Sequence, residues 1–300
     1  KIMMDFQKEA LQIKDEIITN RRTIHHFAET AFDLPQTVDF VMKKLQEYGL
    51  EPKRVGKAGV SCLIGKPEGK TILLRADMDA LPMAEETGLA FAAENGNCHS
   101  CGHDCHTAML LGAAKILKAH EEELQGSVKL MFQPAEEKLA GALDMIANGI
   151  LENPKVDAAM GLHVTVGGGE ECKPAGLSYR SGDATYAGDC IRITVTGKNA
   201  HGSTPQLGVD AISAAAHIIL ALQEIPAREI SMESKDVVLV GMIQGGSSCN
   251  TVSGECVMEA SVRSDSREGR AFLKKRVKEI AQSIAQAYRA EAEVEYVYGM

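Results

Sequence analysis

Between residues 60 and 164 the chain alternates short apolar runs with helical stretches, and this alternation restricts the fold more than any other feature. Four segments have the length and apolar character of buried strands, namely 60–66, 70–77, 127–134 and 156–164. Helical patterns cover 3–30, 36–48, 107–120 and about 139–148. Strands that alternate with helices form βαβ units, whose sheet is buried between helices. The sequence therefore predicts an α/β domain with a mainly parallel sheet flanked by helices.

The pattern changes after residue 181, which places a predicted domain boundary near residues 181–186. Four strands are predicted beyond it, over 189–198, 237–246, 254–264 and 292–298. Helices are predicted over 209–225 and 267–289. The order β-α-β-β-α-β is that of a ferredoxin-like two-layer domain. We therefore expect two domains, residues 1–183 and residues 184–300.

Composition and charge exclude several classes of protein. The chain has 41 acidic and 32 basic residues and no Trp, so it lacks the positive field and the aromatic stacking surfaces of a nucleic-acid binder. No apolar run approaches the roughly 18 residues that span a bilayer. The first residues form a charged helical pattern rather than a signal peptide. We expect a soluble, cytoplasmic protein that binds neither nucleic acid nor membrane.

Cysteine and histidine are concentrated in one short segment. The chain contains eight cysteines and nine histidines, yet six of them lie within residues 98–106. Metal binding is the usual reason, because thiolate and imidazole are the ligands that zinc prefers. Cys98 and Cys101 alone would also fit half of a zinc ribbon or a redox pair. A ribbon needs a second such pair, which the sequence lacks, and a redox pair normally opens a helix directly.

Polar side chains of metal-binding type follow four segments of the first domain. They are Asp77 and Asp79, Cys101 and His103, Glu136 and Glu137, and His163. In an open α/β sheet, groups beyond the carboxyl ends of the strands converge on one crevice. Each also has an ordinary alternative, such as a turn-capping Asp, a solvated Glu pair at a helix start or a core histidine. Together they predict a site suited to Zn²⁺, with Mn²⁺ or Co²⁺ as alternatives.

Four motifs of the first domain closely resemble those of one enzyme family. They are LLRADMDALP (73–82), HSCGHDCHTAMLLGAA (99–114), FQPAEE (132–137) and GLHV (161–164). They are similar to the aminoacylase, hippurate hydrolase and indole-acetyl-amino-acid hydrolase family. These are two-metal N-acyl-L-amino acid amidohydrolases of the carboxypeptidase and aminoacylase metallopeptidase superfamily. The resemblance extends from about residue 1 to the end of the chain.

The resemblance implies a cofactor of two divalent metal ions, zinc or manganese, with cobalt or nickel as alternatives. It implies four ligands, Cys101, His103, Glu137 and His163. Sister branches of the family have a His ligand at the position of Asp77, so His103 is expected to take its place.

The resemblance also implies roles for residues around the ions. Glu136 would be the general base, which takes a proton from the attacking water and returns it to the leaving amine. Asp79 would orient a ligand without binding the ion itself. The family does not use four further residues as its main ligands, although their spacing does not exclude them. They are Cys98, His99, Cys105 and His106.

Three residues of the second domain resemble substrate-binding residues of the family. In GKNAHGSTP (197–205), His201 would polarise the scissile carbonyl, and it often reaches the active site of a partner subunit, which implies a homodimer. A surface histidine on a loop is the alternative. Asn250 and Arg263 would grip the free carboxylate of the substrate. The family usually continues this Asn with Val-Ile-Pro-Asp, where the present chain has Thr-Val-Ser-Gly.

The family continues beyond the position of Met300, returns to the first domain and supplies a last His ligand there. We therefore expect the C-terminal part of the catalytic domain to be absent from this sequence, which leaves one ion a ligand short.

The resemblance predicts metal-dependent hydrolysis of the amide bond of N-acyl-L-amino acids. The expected binding partner is therefore a small-molecule substrate. A dipeptidase or carboxypeptidase of the same superfamily is the alternative within this chemistry. A non-catalytic binding remnant is a second alternative, although a remnant has no use for Glu136. A cysteine nucleophile, Cys101 with His103, would leave Glu136 and Glu137 without a role.

Overall fold

A computed structural model describes residues 5–165, 176–179, 181, 182 and 185–299. The chain divides into two compact units, Lys1–Pro174 and Ala175–Met300. The predicted boundary between residues 183 and 184 lies outside the described residues and stays a prediction.

The first unit contains five α-helices and five strands in its described part. The helices are α1 (Phe6–Gln12), α2 (Lys14–Phe27), α3 (Pro35–Glu47), α4 (His103–Ala119) and α5 (Gly141–Ala147). The strands are β1 (Lys53–Val55), β2 (Gly59–Gly65), β3 (Thr71–Asp77), β4 (Ser127–Gln133) and β5 (Ala158–Gly161). The single helix predicted over 3–30 is thus two helices that adjoin at Ile13. The helix predicted from 107 begins at His103, after Gly102 with a φ of +83°.

The sheet of the first unit is mixed, so the prediction of a mainly parallel sheet was wrong. Its strand order is β1-β2-β4-β3-β5; the β3–β4 and β3–β5 pairs are parallel, and the β1–β2 and β2–β4 pairs are antiparallel. The reason is the short connection after β2, which reverses the chain direction before β3. The crossover through α4 makes β4 parallel to β3, and β4 is consequently antiparallel to β2.

Helices cover both faces of this sheet. On one face, Leu111 of α4 and Val41 of α3 pack with Phe132 of β4, and all three side chains are buried. On the other face, Met145 of α5 packs with Met131 of β4. Every residue of β4 is buried, as expected for a central strand. The carboxyl ends of β3, β4 and β5 therefore lie at one edge of a sheet whose faces are covered.

The second unit has the predicted ferredoxin-like order of elements. Its strands are β6 (Ala187–Thr196), β7 (Ala200–His201), β8 (Val237–Gly245), β9 (Thr251–Val252), β10 (Glu255–Ser264) and β11 (Glu291–Gly299). Its helices are α6 (Ala211–Leu222) and α7 (Arg267–Ala287). The main sheet is antiparallel in the order β11-β6-β10-β8, and β7 pairs with β9.

One face of the main sheet carries the core of the second unit. Ile191, Ile193 and Val195 alternate along β6 and are fully buried against Ile218 of α6 and Val277 of α7. Within the described ranges, no helix has both the length and the apolar character that a membrane span requires.

Candidate metal centre

His103 lies at the centre of the candidate site, on the first turn of α4. Its Nδ1 donates to the backbone carbonyl of Asp79 at 2.7 Å, which leaves a lone pair on Nε2. That Nε2 is buried without a hydrogen-bond partner among the described residues. It lies 3.8 Å from Glu136 Oε2 and 3.8 Å from Glu137 Oε1. Burial alone would lower the pKa of His103, but the carboxylates of Asp79 and Asp77 outweigh it and raise that pKa. The surrounding carboxylates therefore stabilise a positive charge at Nε2 of His103, whether a proton or a bound metal ion.

Cys101 and His163 face each other beside His103. The Sγ atom of Cys101 is 3.4 Å from Nε2 of His163. The Nδ1 atom of His163 donates to the carbonyl of Val164 at 2.6 Å, so the Nε2 lone pair again points inward. Burial and the negative charge of Glu137 raise the pKa of Cys101 to about 12. A nearby cation would reverse this shift, because thiolate is the form that binds metal.

Asp79 holds the two glutamates in place through their backbone. Its Oδ1 accepts from the N–H of Glu136 at 2.9 Å, and its Oδ2 accepts from the N–H of Glu137 at 3.2 Å. Burial, followed by the charges of Glu137 and Asp77, raises the pKa of Glu136. The Oε1 atom of Glu137 is buried and unpartnered within the described part of the chain. Asp79 thus supports both the helix residue His103 and the turn that carries the glutamates.

These side chains form two adjacent groups of metal-binding type. Cys101, His103 and His163 form one group, and His103, Glu136 and Glu137 form the other, each with ligand atoms within 4.8 Å of one another. The two groups share His103. His103 and Glu137 carry lone pairs without a partner in the described ranges, and together with a thiol and an imidazole they fit two divalent cations of the zinc or manganese type.

Four further residues were not excluded as metal ligands by their spacing, and the structure separates His106 from the other three. Cys98 and His99 are buried, and Cys98 exchanges backbone hydrogen bonds with Leu81. Burial lowers the pKa of His99 to about 4, so its ring is neutral. Neither residue, nor Cys105, belongs to a group of candidate ligands in the described part of the chain. His106 does lie in such a group, with Asp77 and His103.

The three residues predicted in the second unit do not all lie together. His201 on β7 pairs with Thr251, and the N–H of Gly202 donates to the carbonyl of Asn250 at 2.7 Å, so His201 and Asn250 are neighbours. Asn250 precedes the first residue of β10, whereas Arg263 lies near the last. Cys256, at the start of β10, is already roughly 23 Å from Arg263 at the usual rise of about 3.3 Å per residue. Within one copy of this unit, Asn250 and Arg263 therefore do not grip the same carboxylate.

A buried ionic network behind the metal centre was not predicted. His25 Nδ1 lies 2.8 Å from Asp104 Oδ2, and His25 Nε2 lies 3.0 Å from Glu85 Oε1. Arg21 Nε donates to the same Asp104 oxygen at 2.6 Å. The hydrogen bond to Asp104, reinforced by Glu85 and opposed by burial, raises the pKa of His25. The imidazolium thus connects α2, the start of α4 and the loop that carries Glu85.

The His25 network predicts a specific dependence of stability on pH. The folded pKa of His25 lies above 6.5, so its stabilisation is complete below pH 6.5 and is lost as the pH rises through the folded pKa. His25→Gln, which carries no titrating charge, is expected to cost about 1.5–3 kcal/mol at low pH and less at high pH. Denaturant unfolding of both proteins across a pH series measures the difference. A difference that does not depend on pH contradicts the prediction.

Sequence and structure comparisons relate the chain to one family of metal-dependent hydrolases. The profile of Peptidase family M20/M25/M40 matches residues 73–298. N-acetyl-L-cysteine deacetylase of Bacillus subtilis is 36% identical, covering 96% of this chain and 68% of that protein. N-acyl-L-amino acid amidohydrolase of Geobacillus stearothermophilus is 35% identical, covering 96% and 77%. The crystal structure of a Bacillus subtilis dinuclear metal binding peptidase superposes with a TM-score of 0.75 at 32% identity, covering 95% and 74%.

Proposed function

The chain belongs to peptidase family M20/M25/M40, and we propose that it is a metal-dependent amidohydrolase that acts on N-acyl-L-amino acids. The products would be a carboxylate and a free amino acid. The observation that most directly supports this proposal is the pair of candidate ligand groups that share His103, one of which includes Glu136. Membership of the family confirms the resemblance found in the motifs. The cytoplasmic location expected from the sequence remains a prediction.

Four side chains would hold two divalent cations, namely Cys101, His103, Glu137 and His163. When bound, such ions supply positive charge that activates water and stabilises the charge that develops on the amide oxygen. The protein contributes the fixed direction of each ligand atom. Backbone carbonyls of Asp79 and Val164 accept from Nδ1 of His103 and His163, so both Nε2 lone pairs face the centre.

Glu136 is the group proposed to move the proton. Its side chain is 27% exposed, so it is accessible to water and substrate but largely shielded. Asp79 fixes its backbone, while no hydrogen bond among the described residues occupies its carboxylate. The carboxylate would accept a proton from the attacking water and pass it to the nitrogen of the leaving amino acid. Burial and neighbouring charge favour the protonated form that the second step needs.

His201 is proposed as the donor to the amide oxygen. The backbone N–H of Ser203 donates to His201 Nδ1 at 3.2 Å, so the neutral ring carries its proton on Nε2. The Nε2–H of His201, at the exposed end of β7, is then available to a substrate carbonyl. We propose that Asn250 assists His201, and that Arg263 binds the substrate carboxylate, because a guanidinium offers two parallel donors.

A homodimer through the second unit is proposed on the basis of an exposed edge strand. β8 ends the main sheet, and its side chains include Val237 at 44% and Leu239 at 57% exposure. Leu220 of α6 is 67% exposed. An apolar edge strand favours pairing with another chain. Analytical ultracentrifugation is expected to show a dimer that Leu239→Lys dissociates; a monomer at every wild-type concentration contradicts the proposal.

The function is tested by measuring metal content together with substrate selectivity. Elemental analysis is expected to give two ions per chain. Free amino acid is expected from N-acetylmethionine and hippurate, and much less from a dipeptide with a free α-amine. A preference for the dipeptide would instead indicate a peptidase of the same family. Folded protein that binds two ions but cleaves none of these substrates would favour a non-catalytic binding role.

A further inference from the structure

His106 lies within ligand distance of His103 and Asp77, yet both of its ring nitrogens are already in use. The N–H of Val164 donates to His106 Nε2 at 2.8 Å. A backbone amide can only donate, so Nε2 is unprotonated, and the neutral ring carries its proton on Nδ1. Nδ1 then donates to Asp77 Oδ1 at 2.5 Å. The ring is 2% exposed, so water cannot substitute for either partner.

The acceptor Asp77 is itself fixed by charge. Its Oδ2 lies 2.7 Å from Arg75 Nη1, in an ion pair that lacks hydrogen-bond geometry. Arg75 Nε donates to Gln133 Oε1 at 2.9 Å. Arg75 and Asp77 lie on β3 and Gln133 lies on β4, so His106 is attached to the two strands at the centre of the sheet.

Val164 is the residue through which His106 would act. The β3–β5 ladder ends at Gly161, and residues 162–165 follow it without regular structure. The N–H of Val164 is bound by His106, and its carbonyl accepts from Nδ1 of His163. Its side chain lies against Gly102, where a Cβ atom would collide with it. Val164 therefore joins His106, the turn before α4 and the ring of His163.

We propose that His106 is a positioning residue that holds Val164 and thereby directs His163 toward the metal, and that His106 itself is not a ligand. The rings of His106 and His163 also pack edge to face, with centroids 4.7 Å apart. The hydrogen bond to Val164 replaces the strand pairing that stops at Gly161. This inference rests on the two-metal site proposed above and extends it by a residue that the motif comparison left without a role.

The first test reads the protonation of His106 directly in the wild-type chain. ¹⁵N-labelled histidine in the metal-free protein is expected to show His106 with a proton on Nδ1 and none on Nε2. Addition of Zn²⁺ is expected to shift the Nε2 signals of His103 and His163 and to leave the His106 pattern in place. A proton on Nε2, or a coordination shift at His106, overturns the proposal. Failure of Zn²⁺ to bind would instead refute the proposed function. The tautomer of His106 in the metal-free protein would still test the hydrogen bond to Val164.

The second test separates positioning from ligation by substitution. His106→Leu removes the acceptor for Val164, whereas His106→Gln retains an amide oxygen. We expect the dissociation constant of one ion, measured by chelator competition, to rise about 10–100-fold in His106→Leu, with most of the loss recovered in His106→Gln. His99→Leu is the matched control, because neither ring nitrogen of the buried His99 has a hydrogen-bond partner among the described residues. The ion affinities of this variant are expected to equal those of the wild type. Loss of a whole ion in both His106 variants, or unchanged affinity in His106→Leu, overturns the proposal.

Discussion

Glu136→Gln is expected to lower kcat for an N-acyl amino acid by about 10²–10⁴ while two ions per chain remain bound. Gln has the size of Glu, and its backbone N–H can still donate to Asp79 Oδ1. Its amide cannot accept a proton from water at neutral pH, so only the proton transfer is removed. KM is expected to change little, because substrate binding is assigned to other residues. Steady-state kinetics with elemental analysis of the same samples measures both quantities.

Glu137→Gln is the matched control for this result. The two glutamates are adjacent, lie equally far from His103 Nε2, and both bind Asp79 through their backbone. Glu137 is proposed as a ligand, so its variant is expected to lose affinity for one ion, and activity should return in part at high metal concentration. If Glu136→Gln also loses an ion, Glu136 is a ligand rather than the base. If it keeps full activity, another group transfers the proton.

The sequence predicts the elements of the fold far better than their pairing. The strand predicted over 70–77 is observed as Thr71–Asp77, because an apolar run bounded by turn residues is a local signal. The neighbour of that strand is not a local property. A short turn joins β2 and β3, which suggests a hairpin, but β4 lies between them. All seven residues of β4 are buried, and this burial is what requires a central position for β4 in the sheet.

The candidate site was accessible from sequence for a related reason. Residues that follow parallel strands must meet at one sheet edge, and Asp79, Glu136 and His163 follow β3, β4 and β5. What the sequence does not specify is which nitrogen of a histidine faces which partner. His106 therefore received no role. The hydrogen bond between His25 and Asp104 joins positions 79 residues apart, so no periodic pattern in the sequence indicates it.

Asp79→Ala is expected to reduce both metal affinity and turnover, because Asp79 organises the turn that carries the base and a ligand. The substitution leaves the N–H groups of Glu136 and Glu137 without their acceptor at a site where Asp79 is 1% exposed. A fully buried unsatisfied N–H costs about 1–3 kcal/mol, and these two N–H groups are only partly buried, so the free energy of unfolding of the metal-free protein should fall by about 2–4 kcal/mol. Displacement of Glu136 and Glu137 should lower kcat and the affinity for one ion by about 10–100-fold.

Asp79→Asn distinguishes this mechanism from a purely electrostatic one. The Asn side chain offers one acceptor and one donor, so it can keep one of the two backbone hydrogen bonds and loses the negative charge entirely. His103 is oriented by the backbone carbonyl of residue 79, which both variants retain. If Asp79 acts by holding the Glu136–Glu137 turn, Asp79→Asn should lie between wild type and Asp79→Ala in stability, ion affinity and kcat. If Asp79 acts through its charge on His103, the two variants should be equally impaired, because both are neutral. Chelator competition on the wild type, Asp79→Asn and Asp79→Ala gives the order of their ion affinities. That order shows whether Asp79 acts by holding the Glu136–Glu137 turn or by its charge.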